Sequence, residues 1–215
     1  MEHAITPGHA AHVEHVEHET STGLDNRKVL MWAFLGSDCL FFGSFITTYM
    51  IYRGKSLTGP CPHETVLNGV HCEGIFSIPY TSVSAFVLLM SSLTMVLALA
   101  AIQRGNHRGL RVWLLATALL GAVFVGGQYF EFTTFVQHGL TPQVNLFGTT
   151  FFVLTGFHGA HVTVGIIMLL SLIMVSLLGR LPTADSLTVE LVGLYWHFVD
   201  IVWIVIFTLV YLLPL

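Results

Sequence analysis

The sequence predicts an all-α membrane protein, a polytopic bundle of five transmembrane helices. Charged residues make up only 9% of the 215-residue chain, and hydrophobic residues make up 54%. A soluble domain carries about 25% charged residues, so this surface must be covered by lipid or by other apolar chains. Five apolar segments reach the length of about 20 residues that crosses the hydrocarbon core. They are too long and too uniformly apolar for barrel strands, which have about 10 residues of alternating polarity.

The five predicted spans cover approximately residues 29–52, 83–102, 112–131, 146–178 and 191–214. Together they form a membrane domain from residue 27 to 215. The fourth segment is longer than an upright span requires, which predicts a tilted helix or one that extends beyond the membrane.

The N-terminal residues 1–26 differ from the rest, because they are polar and rich in His and Glu. They lack the basic segment, apolar stretch and small-residue cleavage site of a signal peptide, and we expect a disordered tail. The spacing of His12, His15 and His18 would also allow metal binding. The net charge of −4 at pH 7 argues against a nucleic-acid partner.

The basic residues predict the orientation of the chain in the membrane. Cytoplasmic loops carry an excess of Lys and Arg. Of the eight basic residues, Arg53 and Lys55 fall on one side of the predicted spans. The other six share the opposite side: Arg27, Lys28, Arg104, Arg108, Arg111 and Arg180. The N-terminus is therefore predicted to be cytoplasmic and the C-terminus to lie outside.

The longest predicted external loop contains two cysteines, Cys61 and Cys72. An oxidising compartment allows a disulfide between them. Two reduced cysteines, or a metal site that also uses His63 and His71, fit the same pattern. Cys39 lies inside the first span, where we expect a small buried side chain.

Ionisable side chains inside the predicted spans are the candidate functional residues, because a charge at the bilayer centre costs about 2.5–3.5 kcal/mol. Asp38 lies ten residues beyond Lys28, which places it roughly 15 Å into the membrane. It could handle protons or sense lipid headgroups, or it could be a structural acid bonded across helices. His158 and His161 are three residues apart and should share a helix face, which could bind a metal. We prefer an Asp38–His161 hydrogen bond or ion pair, because it satisfies both groups.

Further polar residues lie in the third and fifth spans. His197 and Asp200 repeat the three-residue spacing, Glu190 stands near the start of the fifth span, and Gln128 and Glu131 end the third. Interhelical hydrogen bonding is the plain interpretation of each. Trp196 and Trp203 are expected to pack against neighbouring helices. Without a set of histidines suited to haem or copper, the chain is not expected to perform redox chemistry itself.

Four segments resemble subunit III of the haem–copper oxidases. They are Glu190 followed by YWHFVDIVW (195–203), GFHGAHVTVG (156–165), FLGSDCLFFGSFITTY (34–49) and QYFEF (128–132). The resemblance extends from about residue 28 to 215. It is closest to a shorter, five-helix bacterial form that lacks the first two of the family's seven helices. Those two helices help to form a V-shaped lipid cleft in the family.

The resemblance also implies roles for individual residues. Asp38 stands where the family usually has the carbodiimide-reactive Glu near bound lipid. The remaining residues that match the family's buried polar positions are His158, His161, Glu131, Glu190, His197 and Asp200. The resemblance implies neither a catalytic residue nor a metal ligand in this chain.

The function implied by the resemblance is that of a non-redox subunit of a proton-pumping cytochrome c oxidase in the bacterial inner membrane, which serves aerobic respiration. It would contact catalytic subunit I, which holds the haems and copper, and work beside subunit II and cytochrome c. It would sustain proton uptake and protect the catalytic subunit, with bound phospholipid. The alternatives are a similar subunit of a quinol oxidase or nitric oxide reductase, a free-standing proton-coupled transporter, and a purely structural assembly subunit.

Overall fold

Five long helices dominate the part of the chain described by the computed structural model, which comprises residues 25–53, 65–67, 70–72, 77–181 and 186–213. Each helix is long and apolar enough to cross a membrane. The prediction of an all-α bundle with five spans is confirmed. The helices are α1 (Asn26–Tyr52), α2 (Ile78–Gln103), α3 (His107–Gln137), α4 (Leu146–Leu177) and α5 (Ser186–Phe207), and α5 continues into a π-helical turn at Thr208–Leu212.

The long loop between α1 and α2 contains a short hairpin that the sequence did not predict. Its strands are β1 (Thr65–Leu67) and β2 (Val70–Cys72), which pair antiparallel with Val66 opposite His71. Cys61 lies outside the described residues. The predicted disulfide between Cys61 and Cys72 therefore lies outside them as well. The histidine-rich segment of residues 1–24 is also outside them.

Several helices extend beyond the predicted spans. The helix α2 begins at Ile78 instead of residue 83, α3 covers His107–Gln137 instead of 112–131, and α5 begins at Ser186 instead of residue 191. A count of apolar residues measures the hydrocarbon crossing, whereas a helix continues through polar residues until its end is capped. At the start of α1, the side chain of Asp25 accepts a hydrogen bond from the Arg27 backbone N–H at 2.8 Å. Helix α1 therefore begins at residue 26, at the end of the polar tail.

Short turns connect α2, α3 and α4, so these helices are antiparallel neighbours. At the end of α2, Gly105 adopts φ 71°, a left-handed conformation that glycine accepts without steric cost. The Asn106 side chain then caps α3 by accepting a hydrogen bond from the Gly109 backbone N–H at 2.9 Å. These local signals reverse the chain within a few residues.

Helices α2 to α5 form a closed ring, and α1 lies outside it. Helix α2 packs against α3 and α5, and α4 packs against the same two helices. Helix α1 contacts α4 and α5 and has only two buried residues, Phe42 and Tyr49. Most of its surface must therefore face lipid or another chain.

Trp196 fills the centre of the ring, at a place where two glycines let the helices approach. A Cβ atom added at Gly121 would lie 2.5 Å from the indole ring, and one at Gly165 would lie 2.8 Å from it. The indole N–H donates a hydrogen bond to Ser91 Oγ at 2.9 Å. Trp196 and Trp203 are both 2% exposed, which confirms that they pack within the bundle.

Candidate functional site

Asp38 of α1 and His161 of α4 face each other between the two helices. His161 Nε2 lies 3.8 Å from Asp38 Oδ2, and the side chains of His161 and Asp38 are 21% and 13% exposed. This separation is too long for a direct hydrogen bond. Asp38 Oδ2 accepts no hydrogen bond from any described residue. The two predicted neighbours are thus brought together, but without a direct hydrogen bond between them.

The hydrogen bond made by His161 Nδ1 determines which ring nitrogen faces Asp38. His161 Nδ1 lies 2.7 Å from the Phe157 carbonyl oxygen, and because a carbonyl only accepts, Nδ1 must carry a hydrogen. Nε2 is then the ring nitrogen that lies nearer to the carboxyl group of Asp38. The pair thus places a carboxyl group beside one nitrogen of an imidazole, which are an acid and a base of the kind that exchange protons in proteins.

His161 also lines a groove between α1, α4 and α5. The groove has a volume of about 370 Å³, and its walls are almost wholly apolar apart from His161 and the Tyr195 hydroxyl. The Tyr195 hydroxyl donates a hydrogen bond to the His161 carbonyl oxygen at 3.0 Å. The other residues that line the groove are Met31, Phe34, Phe157, Ala160, Val164 and Met168.

His158 does not join His161 in a common site, contrary to the prediction that they share a face. Its side chain is fully buried, and its Nε2 lies 3.2 Å from the Val199 carbonyl oxygen. The imidazole also packs against Trp203, with ring centroids 4.8 Å apart. Residues three apart on a helix differ by about 60° in direction, which here turns His158 into the ring and His161 towards α1. Within the described ranges, no three His, Cys, Asp or Glu side chains form a possible metal site.

His197 and Asp200 of α5 meet at Ser92 of α2. The Ser92 hydroxyl donates to Asp200 Oδ2 at 2.6 Å, and His197 Nδ1 lies 3.2 Å from Ser92 Oγ. Asp200 is buried, whereas His197 and Ser92 are partly buried. The two predicted residues therefore share one bridging hydroxyl.

Glu131 is buried near the end of α3 that is predicted to lie outside. It accepts hydrogen bonds from the Thr81 hydroxyl at 2.7 Å and from the Tyr211 hydroxyl at 3.3 Å. One turn earlier, the Gln128 amide donates to the Thr155 carbonyl oxygen at 2.8 Å. These contacts join α3 to α2, to α4 and to the turn that ends α5.

Glu190 lies at the opposite end of the bundle, where it forms an ion pair with Lys28. The two charged atoms are 2.8 Å apart, and the side chains are about one-third exposed. The pair connects the beginnings of α1 and α5. Beside it lies a cavity of about 530 Å³, lined also by Val29, Trp32 and Leu194.

Sequence reasoning found the acids and histidines but missed most of their partners. Ser92, Thr81 and Tyr211 were not singled out, although the adjacent pair Ser91–Ser92 in an uncharged helix was an available signal. The expectation for Cys39 was wrong: its side chain is exposed. It lies on the side of α1 that the rest of the bundle does not cover.

The fold and these buried polar contacts define a multi-pass helical membrane protein whose ionisable groups are shielded between helices. A sequence model of the family described as cytochrome c oxidase subunit III matches residues 9–214. The chain belongs to the cytochrome c oxidase subunit III family, whose members are subunits of haem–copper terminal oxidases.

Relatives with assigned names are similar along most of their length. The quinol oxidase subunit 3 of Bacillus spizizenii is 35% identical over 212 residues, which cover 95% of this chain and 98% of the relative. The cytochrome bo(3) ubiquinol oxidase subunit 3 of Pseudomonas putida is 36% identical over 183 residues, or 85% and 83% of the two chains. The cytochrome c oxidase subunit 3 of a Bacillus species, strain PS3, is 32% identical over 188 residues, or 87% and 86%.

Proposed function

We propose that this chain is the non-redox subunit III of a proton-pumping cytochrome c oxidase, in which it supports proton uptake and stabilises the catalytic subunit. The observation that carries the proposal is the Asp38–His161 pair, with its atoms 3.8 Å apart beside an apolar groove. Ionisable side chains inside membrane-spanning helices are costly, and they therefore often have a functional role. A carboxyl group beside an imidazole can exchange protons with a neighbouring chain.

The groove beside this pair is the proposed site of a phospholipid. Its apolar walls between α1, α4 and α5 suit an acyl chain. The ion pair of Lys28 and Glu190 beside the second cavity supplies charges that could meet a headgroup. A lipid in this position would fill the space between the peripheral helix α1 and the ring, and would so stabilise the packing of α1.

The proposed partners are catalytic subunit I, in direct contact, and subunit II, with cytochrome c as electron donor. Haems and copper would belong to the partner chains. Exposed apolar side chains on α1, such as Leu30, Trp32 and Leu40, provide surface for lipid or for a neighbouring subunit. The proposed location is the bacterial inner membrane, with a cytoplasmic N-terminus and an external C-terminus, as the distribution of basic residues indicates.

A quinol oxidase is the second candidate complex. It is favoured by the quinol oxidase subunits of Bacillus spizizenii and Pseudomonas putida, which are 35% and 36% identical to this chain. The electron donor is recognised elsewhere in such a complex, so the buried polar pairs of this chain would serve either enzyme in the same way.

The test is affinity isolation of the tagged chain from its native membrane in mild detergent. We expect haem-bearing partner chains, a haem absorbance spectrum, and oxygen consumption with reduced cytochrome c. Oxygen consumption with quinol alone would select the second candidate. Recovery of the chain without any haem-bearing partner would refute both. A tag fused to an unrelated membrane protein of similar size controls for non-specific recovery.

A further inference from the structure

A second polar site, separate from the Asp38–His161 pair, joins the middle of α2 to α5. The Ser92 hydroxyl has a single hydrogen, and it donates that hydrogen to Asp200 Oδ2 at 2.6 Å. Ser92 Oγ must therefore accept from His197 Nδ1, which lies 3.2 Å away. The donor directions thus align in one sense, from His197 through Ser92 to Asp200.

We propose that His197, Ser92 and Asp200 form a proton relay that leads from a partly buried imidazole to a buried carboxyl group. In one transfer, His197 Nε2 takes up a proton from outside and Nδ1 passes its own proton to Ser92 Oγ. Ser92 passes its original hydrogen to Asp200 Oδ2. The result is a protonated Asp200, an intact serine hydroxyl and a neutral imidazole with its hydrogen on Nε2, so that no atom or charge is left unaccounted for.

The burial of the three residues gives the relay its direction. Asp200 is only 5% exposed, and its Oδ1 has no hydrogen-bond partner among the described residues. His197 is partly buried and reaches Asp200 through the shared Ser92 hydroxyl. His197 Nε2 forms no hydrogen bond with the described part of the chain, so it is free to exchange a proton with water or with a group on an adjoining subunit.

The relay follows from this geometry alone and does not depend on which oxidase contains the chain. A half-buried imidazole in the middle of a span needs a polar neighbour. A chain that packs against the α2–α5 face and presents an acceptor or donor to Nε2 would supply it. Any contribution of the relay to oxidase proton uptake rests on the proposed function, whereas proton exchange at Asp200 does not.

The experiment measures how fast the Asp200 carboxyl group exchanges its proton for deuterium in the purified complex. Transfer to D₂O shifts the infrared carbonyl band of a protonated carboxyl group, which is the state of Asp200 after one transfer, and Asp200→Asn identifies the band. Ser92→Ala removes the bridge and is expected to slow the exchange about a hundredfold, the lower range for a positioned proton-transfer group. Ser92→Thr keeps a hydroxyl and should restore the native rate.

Two further variants make the test specific. His197→Gln can still donate to Ser92 but cannot pass a proton on, so we expect it to slow exchange as much as Ser92→Ala does. Ser91→Ala is the matched control, because Ser91 is adjacent and bonds to Trp196 instead; the exchange rate should stay within about twofold of native, since the relay is intact.

Three results would overturn the relay. They are native exchange in His197→Gln, equal slowing in Ser91→Ala and Ser92→Ala, and a spectrum in which Asp200→Asn removes no carboxyl band. Each result is measured on the Asp200 band of this chain. These results therefore test the relay separately from the proposed electron donor and partner chains. If Ser92→Ala does not assemble, the comparison of His197→Gln with the native complex decides the matter.

Discussion

His161 presents Nε2 to Asp38 Oδ2 across the contact between α1 and α4, at 3.8 Å and without a direct hydrogen bond. Because Nδ1 donates to the Phe157 carbonyl oxygen at 2.7 Å, the imidazole cannot turn its other nitrogen towards the acid without losing that bond. The geometry therefore fixes which ring nitrogen meets the carboxyl group.

Replacing Asp38 should shorten the active life of the oxidase. Asp38→Ala removes the acid, and Asp38→Asn keeps its shape without an exchangeable acidic proton. For both we expect slower proton uptake and roughly two- to tenfold fewer turnovers before inactivation, which corresponds to about 0.4–1.4 kcal/mol in a rate barrier. The measurement is oxygen consumption followed to exhaustion, together with proton uptake on a pH indicator.

Cys39→Ala provides the control for these variants, because Cys39 is adjacent on α1 and exposed. It should leave both quantities unchanged. If Asp38→Asn also matched the native enzyme while Asp38→Ala did not, the side chain would have a structural role only.

The glycines around Trp196 should be intolerant of a single added methyl group. Gly165→Ala places a Cβ 2.8 Å from the indole and Gly121→Ala places one 2.5 Å from it. Overpacking of this kind costs typically 1–3 kcal/mol. We therefore expect a lower thermal midpoint of the complex and reduced recovery of this chain with it.

Gly156→Ala on α4 and Gly126→Ala on α3 are the matched controls, because a Cβ at either position meets nothing within 4 Å. Both should leave the midpoint unchanged or raise it slightly, since alanine is the better helix former. Equal destabilisation by Gly156→Ala and Gly165→Ala would show that close packing on Trp196 is not the cause.

Glu131 should contribute to stability through the hydroxyl groups that surround it. Thr81→Val removes the 2.7 Å donor and leaves a buried carboxyl group with less support, at a cost of about 1–3 kcal/mol. Unfolding in detergent, followed by the fluorescence of the buried tryptophans, measures the loss. Thr133→Val is the comparison, because among the described residues the Thr133 hydroxyl bonds to the Tyr129 carbonyl oxygen of its own helix and to no other helix. A loss in Thr133→Val as large as in Thr81→Val would argue against this role.

The sequence predicted the five crossings well because length and apolar content alone decide which segments can enter a bilayer. It could not predict which serine or threonine bridges two helices. Ser82 bonds to the Ile78 carbonyl oxygen of its own helix, whereas Ser92 reaches Asp200 on α5. Both are serines in the same apolar helix. The packing of α2 on α5 determines that Ser92 bonds to another helix and Ser82 to its own.

The histidines illustrate the same limit. His158 and His161 were predicted to share a face, since their spacing allows it. The His158 side chain points into the ring of α2 to α5, and the His161 side chain points towards α1. The two directions differ by about 60° around α4, which is enough to bury one histidine and to place the other beside a groove. The position of α1 outside the ring belongs to the tertiary structure, and the local sequence pattern of α4 does not predict it.

The ion pair of Lys28 and Glu190 should help to hold α1 on the bundle. Helix α1 has little buried surface, and this 2.8 Å pair connects its beginning to that of α5. Because both side chains are about one-third exposed, the coupling energy should be small, at about 0.5 kcal/mol, and should weaken as salt screens the charges. A double-mutant cycle of Lys28→Ala and Glu190→Ala, measured by thermal unfolding at low and high salt, gives this value.

Charge reversal distinguishes this pair from a general effect of charge at the membrane surface. Lys28→Glu alone places two carboxylates together and should destabilise the complex, and the swap Lys28→Glu with Glu190→Lys should recover most of the loss. Arg27→Glu is the matched control, because Arg27 is adjacent and exposed; Glu190→Lys should not rescue it. Equal rescue of both reversals would mean that the total charge at this end of the helices matters, and that the contact between Lys28 and Glu190 does not.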